Sequence, residues 1–197
     1  MRIQLLRTAY LTLALTALST LGAAGQTKPT WQREEKSDPL TDKHFSQFTL
    51  VGKFLTAPSG PHPTSPTLMV RCEPGRRSFG KLNGKFLEGY VVLGSVVDAA
   101  TSPAVAGEVE TRFRLDDGKV RHAYWGHSTN YSALTFSDVD FATLLYGHFM
   151  PHKANTSEPI HKVIVEAPEF LGSNVVVQFD MPDPTEVASA CGELRVK

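Results

Sequence analysis

The sequence has little of several things that mark particular classes of protein. Its charges balance, with 20 Lys and Arg against 20 Asp and Glu, so it lacks the concentrated positive charge that nucleic acids and anionic membranes require. It contains no internal repeat, no glycine-rich phosphate loop, no G-x-S-x-G elbow and no HExxH sequence. The sequence therefore predicts no nucleic-acid partner, no cofactor and no catalytic residues.

Long apolar runs are also scarce, and the one at the N-terminus has the three parts of a secretory signal peptide. Arg2 and Arg7 supply positive charge, residues 9–21 are uncharged and rich in Leu and Ala, and small residues follow at 22–25. The run is shorter than the roughly 20 residues of a spanning helix. We therefore expect cleavage after Ala24 or Gly25, which makes residues 1–24 a cleaved signal peptide.

Export has consequences for charge and location. Subtracting Arg2 and Arg7 from the 20 basic residues leaves 18 against 20 acidic residues, a formal charge of −2. No second apolar run approaches spanning length. We expect a periplasmic or secreted protein that has no membrane span after cleavage.

Cysteine occurs only twice, at Cys72 and Cys191, and both positions lie in the exported part. Disulfides persist in oxidising compartments, so an even pair is a candidate bridge. Strand alternation puts Leu68, Val70 and Cys72 on one face, and helical spacing puts Val187 and Cys191 on one stripe. Both thiols are therefore predicted to face a core and to form a disulfide; two buried free thiols are the alternative.

Strand signals dominate the mature chain. After a polar stretch at residues 25–46, read as an extended arm, apolar alternation or apolar runs predict strands near 48–54, 68–72, 86–97, 108–125 and 160–181. Capping residues predict two short helices late in the chain, one beginning at Ser137 and one after Asp183. We predict a mainly β fold, an antiparallel β-sandwich or partly open barrel with two short helices in the C-terminal half, as one domain over 47–197.

One hairpin can be predicted in detail. Asp117 and Gly118 are turn residues between two alternating segments, and a two-residue turn there pairs Phe113 with His122. This register puts His122 on the apolar face, as a hydrogen-bonded core histidine. Residues 57–66, with four prolines, are predicted to form a loop.

Aromatic residues at the end of this hairpin suggest a surface that binds sugar or peptide. Tyr124, Trp125 and His127 are the candidates, with core packing of Trp125 as the alternative. Although His127 is followed by Ser128, adjacent strand residues point to opposite faces, which argues against a catalytic pair.

The seven histidines do not predict a metal site. His148 and His152 are four residues apart, but Pro151 lies between them and would break a helix that placed both on one side.

Five fragments of the sequence carry a resemblance to a known family. They are Trp31 with KSDPLTD at 36–42, LMVRC at 68–72, RFRLDDG at 112–118, Trp125 with Ser128 and Thr129, and ACG at 190–192. In this order they resemble the VasI family of exported proteins associated with type VI secretion. The resemblance spans nearly all of the mature chain and implies a β-rich exported domain with paired cysteines and no catalytic residues.

The leading hypothesis is a non-enzymatic exported domain that binds an envelope component, with an envelope or secreted protein as partner. The resemblance adds a role accessory to type VI secretion. The rival hypothesis is a secreted hydrolase of cell-wall or glycan substrates, with His127 or an acid such as Asp138 in its site, because glycosidases need paired carboxylates across a cleft.

Overall fold

The computed structural model describes residues 28–37, 39, 44–60, 62–72, 82–83, 86–94, 107–137, 140, 143–145, 159–169, 172–191 and 195–196. The signal peptide, Asp138 and the pair His148 and His152 lie outside the described residues. Within them, no helix has the length and apolar character needed to cross a membrane.

Strands account for most of the described chain. They are β1 Gln32–Ser37, β2 His44–Val51, β3 Lys53–Phe54, β4 Thr67–Cys72, β5 Leu82–Asn83, β6 Phe86–Val92, β7 Val109–Leu115, β8 Arg121–His127, β9 Ala133–Phe136, β10 Lys162–Pro168, β11 Asn174–Asp180 and β12 Arg195–Val196. Helical residues occur at 140 and 143–145 and in a C-terminal helix, Thr185–Cys191.

Ten of these strands form one sheet in the order β1-β2-β4-β6-β9-β8-β7-β10-β11-β3, and β12 pairs with β5 separately. Every described strand pair is antiparallel. The predicted fold class is confirmed: the protein is mainly β, consistent with a sandwich or open barrel, with two short helices late in the chain.

Two glycines allow the sheet to bend back on itself. Gly52 alone separates β2 from β3, although these strands lie near opposite ends of the strand order. A Cβ on Gly52 would lie 2.6 Å from the Gln178 carbonyl oxygen and from the Phe179 ring. Only glycine permits this close approach, so the two ends of the sheet meet at Gly52.

Gly126 lies at the second bend, inside β8. Residues Arg121 to Trp125 pair with β7, whereas Gly126 and His127 pair with β9. A Cβ on Gly126 would lie 2.4 Å from Oγ1 of Thr135. The bend divides the sheet into a first half-sheet, β1-β2-β4-β6-β9, and a second half-sheet, β7-β10-β11-β3.

The inner faces of both half-sheets form one hydrophobic core. Alternation is regular in β4, β10 and β11, where every second residue is buried. Trp125 lies at the junction, its ring centroid 5.9 Å from that of Phe113 and 5.5 Å from that of Phe136. The face predicted for Leu68, Val70 and Cys72 is confirmed, since all three are buried.

The hairpin between β7 and β8 has a different register from the predicted one. Phe113 pairs with Arg121 rather than with His122, because the loop contains three residues, 116–118, instead of two. Asp116 adopts a left-handed φ of 47°, and its Oδ1 accepts from the backbone N–H of Lys162 at 2.8 Å. A shift of one residue exchanges the two faces of a strand, so the prediction of a core His122 is wrong.

The N-terminal segment predicted as an extended arm contains the edge strand β1 and the first residues of β2. Strand β2 begins at His44, so it crosses the expected boundary at residue 46. All six residues of β1 are exposed, and Trp31, which precedes β1, is 7% exposed and belongs to the core.

The caps of both predicted helices are present. The backbone N–H of Asp140 donates to Oγ of Ser137 at 3.2 Å, and Oγ of Ser137 donates to Oδ2 of Asp140. The backbone N–H of Thr185 donates to Oδ1 of Asp183 at 2.8 Å. These reciprocal and N-cap bonds satisfy amide groups that a helix start leaves without partners.

A disulfide joins Cys72 at the end of β4 to Cys191 at the end of the C-terminal helix, with a Cα–Cα distance of 4.9 Å. The two sulfurs are nearly inaccessible, since Cys72 is 2% and Cys191 0% exposed. The bond ties the last helix to the first half-sheet, as the sequence predicts.

Candidate functional site

The three aromatic residues predicted as a binding surface do not lie on one surface. Tyr124 is 44% exposed on the outer face of β8, whereas Trp125 is 1% exposed and fills the core. The alternative of core packing for Trp125 is therefore the observed one. His127 lies beyond the bend at Gly126, where β8 has joined β9.

His127 takes part in a compact turn between β8 and β9. Its ring stacks on that of Tyr131, with centroids 4.2 Å apart, and Tyr131 has a left-handed φ of 58°. Oδ1 of Asn130 accepts from the hydroxyls of Ser128 and Ser132 at 2.7 and 2.8 Å. The turn is held by its own side chains, and His127 Nδ1 lies 2.9 Å from the Ser128 carbonyl oxygen.

A buried carboxylate that the sequence analysis did not identify anchors the proline loop. Glu169 is 2% exposed. Its carboxylate accepts from the backbone N–H of Ser59 at 3.1 Å and from the hydroxyls of Ser59 and Ser173, each at 2.8 Å. These bonds satisfy a buried polar group and fix the loop against the turn between β10 and β11, so Glu169 has a structural explanation.

A groove of about 500 Å³ lies between the N-terminal segment and the C-terminal helix. Trp31 and Pro182 are its buried lining residues, while Lys28, Asp183 and Glu186 are exposed. The two carboxylates are three residues apart, with Asp183 just before the C-terminal helix and Glu186 in its first turn. Hydrogen bonds from the hydroxyl and the backbone N–H of Thr185 hold the pKa of Asp183 below its ordinary value.

The groove consequently does not resemble a glycosidase cleft. A general acid needs a raised pKa, whereas the pKa of Asp183 is lowered, and the two acids lie on one wall rather than across from each other. Among the described residues no group of three or more His, Cys, Asp or Glu could hold a metal ion.

The outer face of the second half-sheet is a grid of charges. Its acidic, basic and histidine side chains are Lys53, Glu110, Arg112, Arg114, His122, Lys162, Glu166 and Asp180. A cross-strand ion pair joins Arg112 to Glu166, and Nδ1 of His122 lies 3.2 Å from Oε1 of Glu110 on the neighbouring strand. Such a face is typical of a solvated sheet surface.

The outer face of the first half-sheet has fewer charges. In β2, β4, β6 and β9 its outward residues are Phe45, Gln47, Thr49, Val51, Thr67, Met69, Arg71, Glu88, Tyr90, Val92 and Thr135. Of these eleven, five are apolar and only Arg71 and Glu88 carry a charge at neutral pH; the edge strand β1 adds Gln32, Glu34 and Lys36. We call the eleven residues of β2, β4, β6 and β9 the apolar face. Strand register makes the face continuous, with Thr49, Met69, Tyr90 and Thr135 side by side across four strands.

A stack of aromatic rings around one guanidinium lies at the centre of the apolar face. The Cζ of Arg71 is 5.5 Å from the ring centroid of Phe45 and 5.7 Å from that of Tyr90. Arg71 forms an ion pair with Glu88, and its Nε donates to Oε1 of Gln47 at 3.1 Å. Cation–π contacts and the ion pair together fix the three side chains in one arrangement.

The hydroxyl of Tyr90 also belongs to this cluster, since it donates to Oε2 of Glu88. Burial raises the pKa of Tyr90 to about 12, and the hydrogen bond to the Glu88 carboxylate contributes to the rise. The Tyr90 hydroxyl therefore remains a neutral hydrogen-bond donor to a higher pH than an ordinary tyrosine.

Comparison of the chain with protein-family models, curated proteins and solved structures finds no match.

Proposed function

We propose that the mature chain is a non-enzymatic exported domain that binds a protein of the cell envelope, or one secreted with it, through the apolar face. The observation that carries the proposal is the contrast between the two outer faces. Contiguous apolar surface on a protein marks sites of interaction, and interface cores are depleted of charge and enriched in Tyr, Phe, Met and Arg. The apolar face contains Phe45, Met69, Arg71 and Tyr90 and only two charged residues, whereas the other outer face contains seven charged residues and His122.

Two further observations support the exported location that this proposal includes. The disulfide between Cys72 and Cys191 supports an oxidising compartment, since such bonds are rare in the cytosol. The N-terminal signal-peptide pattern supports export. A role accessory to type VI secretion, which the family resemblance implies, belongs to the same proposal.

Among the described residues, no observation favours the rival hypothesis of a secreted hydrolase. His127 is stacked on Tyr131 and faces a carbonyl oxygen rather than a carboxylate. The carboxylates of the groove lack the arrangement that glycoside hydrolysis needs. Binding is therefore the function that the geometry supports best.

A pair of double variants tests the proposal. Met69→Lys with Val92→Lys places two charges on the apolar face, and Ile164→Lys with Val176→Lys places two on the other outer face at half-buried strand positions. Immobilised mature protein is used to capture proteins from an envelope extract of the native host. We expect the first variant to retain at least about tenfold less of the captured partner, because a lysine in an apolar interface must be desolvated.

The second variant is the matched control and should capture as much as the wild type. Equal capture by both variants, or a loss confined to the control, would contradict the proposal. Circular dichroism and thermal unfolding of both variants show whether each remains folded.

A further inference from the structure

The charges of the apolar face cancel within the face itself. Arg71 and Glu88, with side chains 31% and 34% exposed, form an ion pair. At the neighbouring edge strand, Nζ of Lys36 lies 2.9 Å from Oε2 of Glu34. Among the described residues of this surface the four charges therefore cancel, and each of them has a partner.

The stack of Phe45, Arg71 and Tyr90 has the properties of an interface anchor. Tyr, Arg and other large side chains dominate binding energy where they are rigid and centrally placed. Here the guanidinium lies over both rings, and the hydrogen bonds that it donates to Gln47 and Glu88 determine its plane. Because the arrangement exists in the free protein, little side-chain entropy is lost on binding.

The chemistry of the partner follows from this neutrality. A strongly charged partner would have to desolvate its charges without gaining an opposite charge here. An anionic lipid surface attracts proteins through an excess of Lys and Arg, which the apolar face does not have. A neutral protein surface that presents apolar side chains has neither difficulty.

We infer that the apolar face docks an uncharged, apolar surface of a protein partner, with the stack of Phe45, Arg71 and Tyr90 as its anchor and Arg71 as the residue that positions the two rings. The inference rests on the proposed function and adds the chemistry of the partner. Since attraction between exposed charges is screened by salt and apolar contact is not, the complex should persist at high ionic strength.

Capture from a detergent-solubilised envelope fraction of the native host, washed at low and at about 1 M NaCl, tests the salt dependence. We expect the amount retained by the wild type to change less than about twofold between the two washes. Loss of a protein that binds at low salt would overturn the inference and leave the proposed function standing. No specific capture at any salt concentration would overturn the proposed function.

Variants of the stack test the anchor. Arg71→Lys keeps the charge but loses the planar guanidinium over the rings, and we expect it to bind about tenfold more weakly. Tyr90→Phe keeps the ring and should bind within about twofold of the wild type. Arg112→Lys is the matched control, because Arg112 also pairs with a glutamate across strands, on the charged outer face.

Comparison of these variants shows whether Arg71 positions the two rings for binding or only stabilises the fold. If Arg71→Lys and Arg112→Lys bind equally well, with both proteins folded by circular dichroism, the anchor is wrong. Should Arg71→Lys unfold, the salt comparison on the wild type and the Tyr90→Phe measurement still decide the matter. Cosedimentation of the protein with protein-free vesicles made from envelope lipids would overturn the inference in favour of a lipid surface.

Discussion

At the scale of single residues, the hydroxyl of Tyr90 shows how neighbours across strands determine the chemistry of a side chain. The phenol donates to Glu88, two residues away on the same face of β6, and lies beside the guanidinium of Arg71 on β4. Burial and the nearby carboxylate both favour the neutral phenol over the phenolate. The pKa of Tyr90 rises to about 12 for these reasons.

Glu88→Gln is expected to lower the pKa of Tyr90. The substitution removes the negative charge that disfavours the phenolate, but burial remains, so the pKa should fall below about 12 and stay above 10.0. Phenolate absorbance followed through an alkaline titration measures it, and Tyr90→Phe identifies which transition belongs to this residue. Circular dichroism confirms that the fold persists over the titration. An unchanged midpoint would show that the carboxylate does not act on the phenol.

Sequence reasoning at this scale succeeds where local pattern decides and fails where distant contacts decide. The burial of Cys72 follows from strand alternation alone. Glu169 could not be identified, because its hydrogen-bond partner Ser59 lies 110 residues away in sequence. The exposure of His122 depends on a register that one left-handed residue, Asp116, shifts.

At the scale of elements, most of the longer strands and both helix caps were predictable, and the pairings only partly so; β1 and β9 were not predicted. Alternation located β2, β4, β10 and β11, and capping residues located both helices. The residues of β1 are uniformly polar and exposed, so no alternation marks them as a strand. Edge strands with such charged residues resist pairing with other chains, which explains why the pattern differs from that of a core strand.

The C-terminal helix is stabilised by its disulfide, because the helix itself is short. It has seven residues, too few for independent stability, and its buried side chains are Val187 and Cys191. The bond to Cys72 spans 119 residues of sequence. Closing a loop of this size stabilises a fold by roughly 4–5 kcal/mol in the chain-entropy model.

The double variant Cys72→Ala with Cys191→Ala should lower the free energy of unfolding by roughly 2–5 kcal/mol. Denaturant unfolding of the oxidised wild type and the double variant measures the difference. A reducing agent should destabilise the wild type towards the variant and leave the variant unchanged. Equal stability of the two oxidised proteins would mean that the bond does not support the fold.

At the scale of the whole molecule, the shape of the sheet depends on Gly52 and Gly126 and on β8, which pairs with β7 before the bend at Gly126 and with β9 after it. Gly52 lets the chain pass from the first half-sheet to the second without displacing Phe179, and Gly126 lets β8 change partners. Sequence alone does not reveal these roles, because each depends on which strand lies opposite. The same limit applies to the apolar face: its residues come from four strands, and their proximity follows from strand order.

The most direct test of partner binding through the apolar face compares two valines in living cells of the native host. Val51 on the apolar face is 53% exposed, and Val120 beside the hairpin loop is 56% exposed. Each is replaced in turn by a photo-crosslinking aromatic amino acid, and crosslinked products are identified by mass spectrometry after illumination. We predict that position 51 forms a crosslink to one protein and that position 120 does not. Crosslinks from position 120 alone, or none from position 51 in folded protein, would contradict the account.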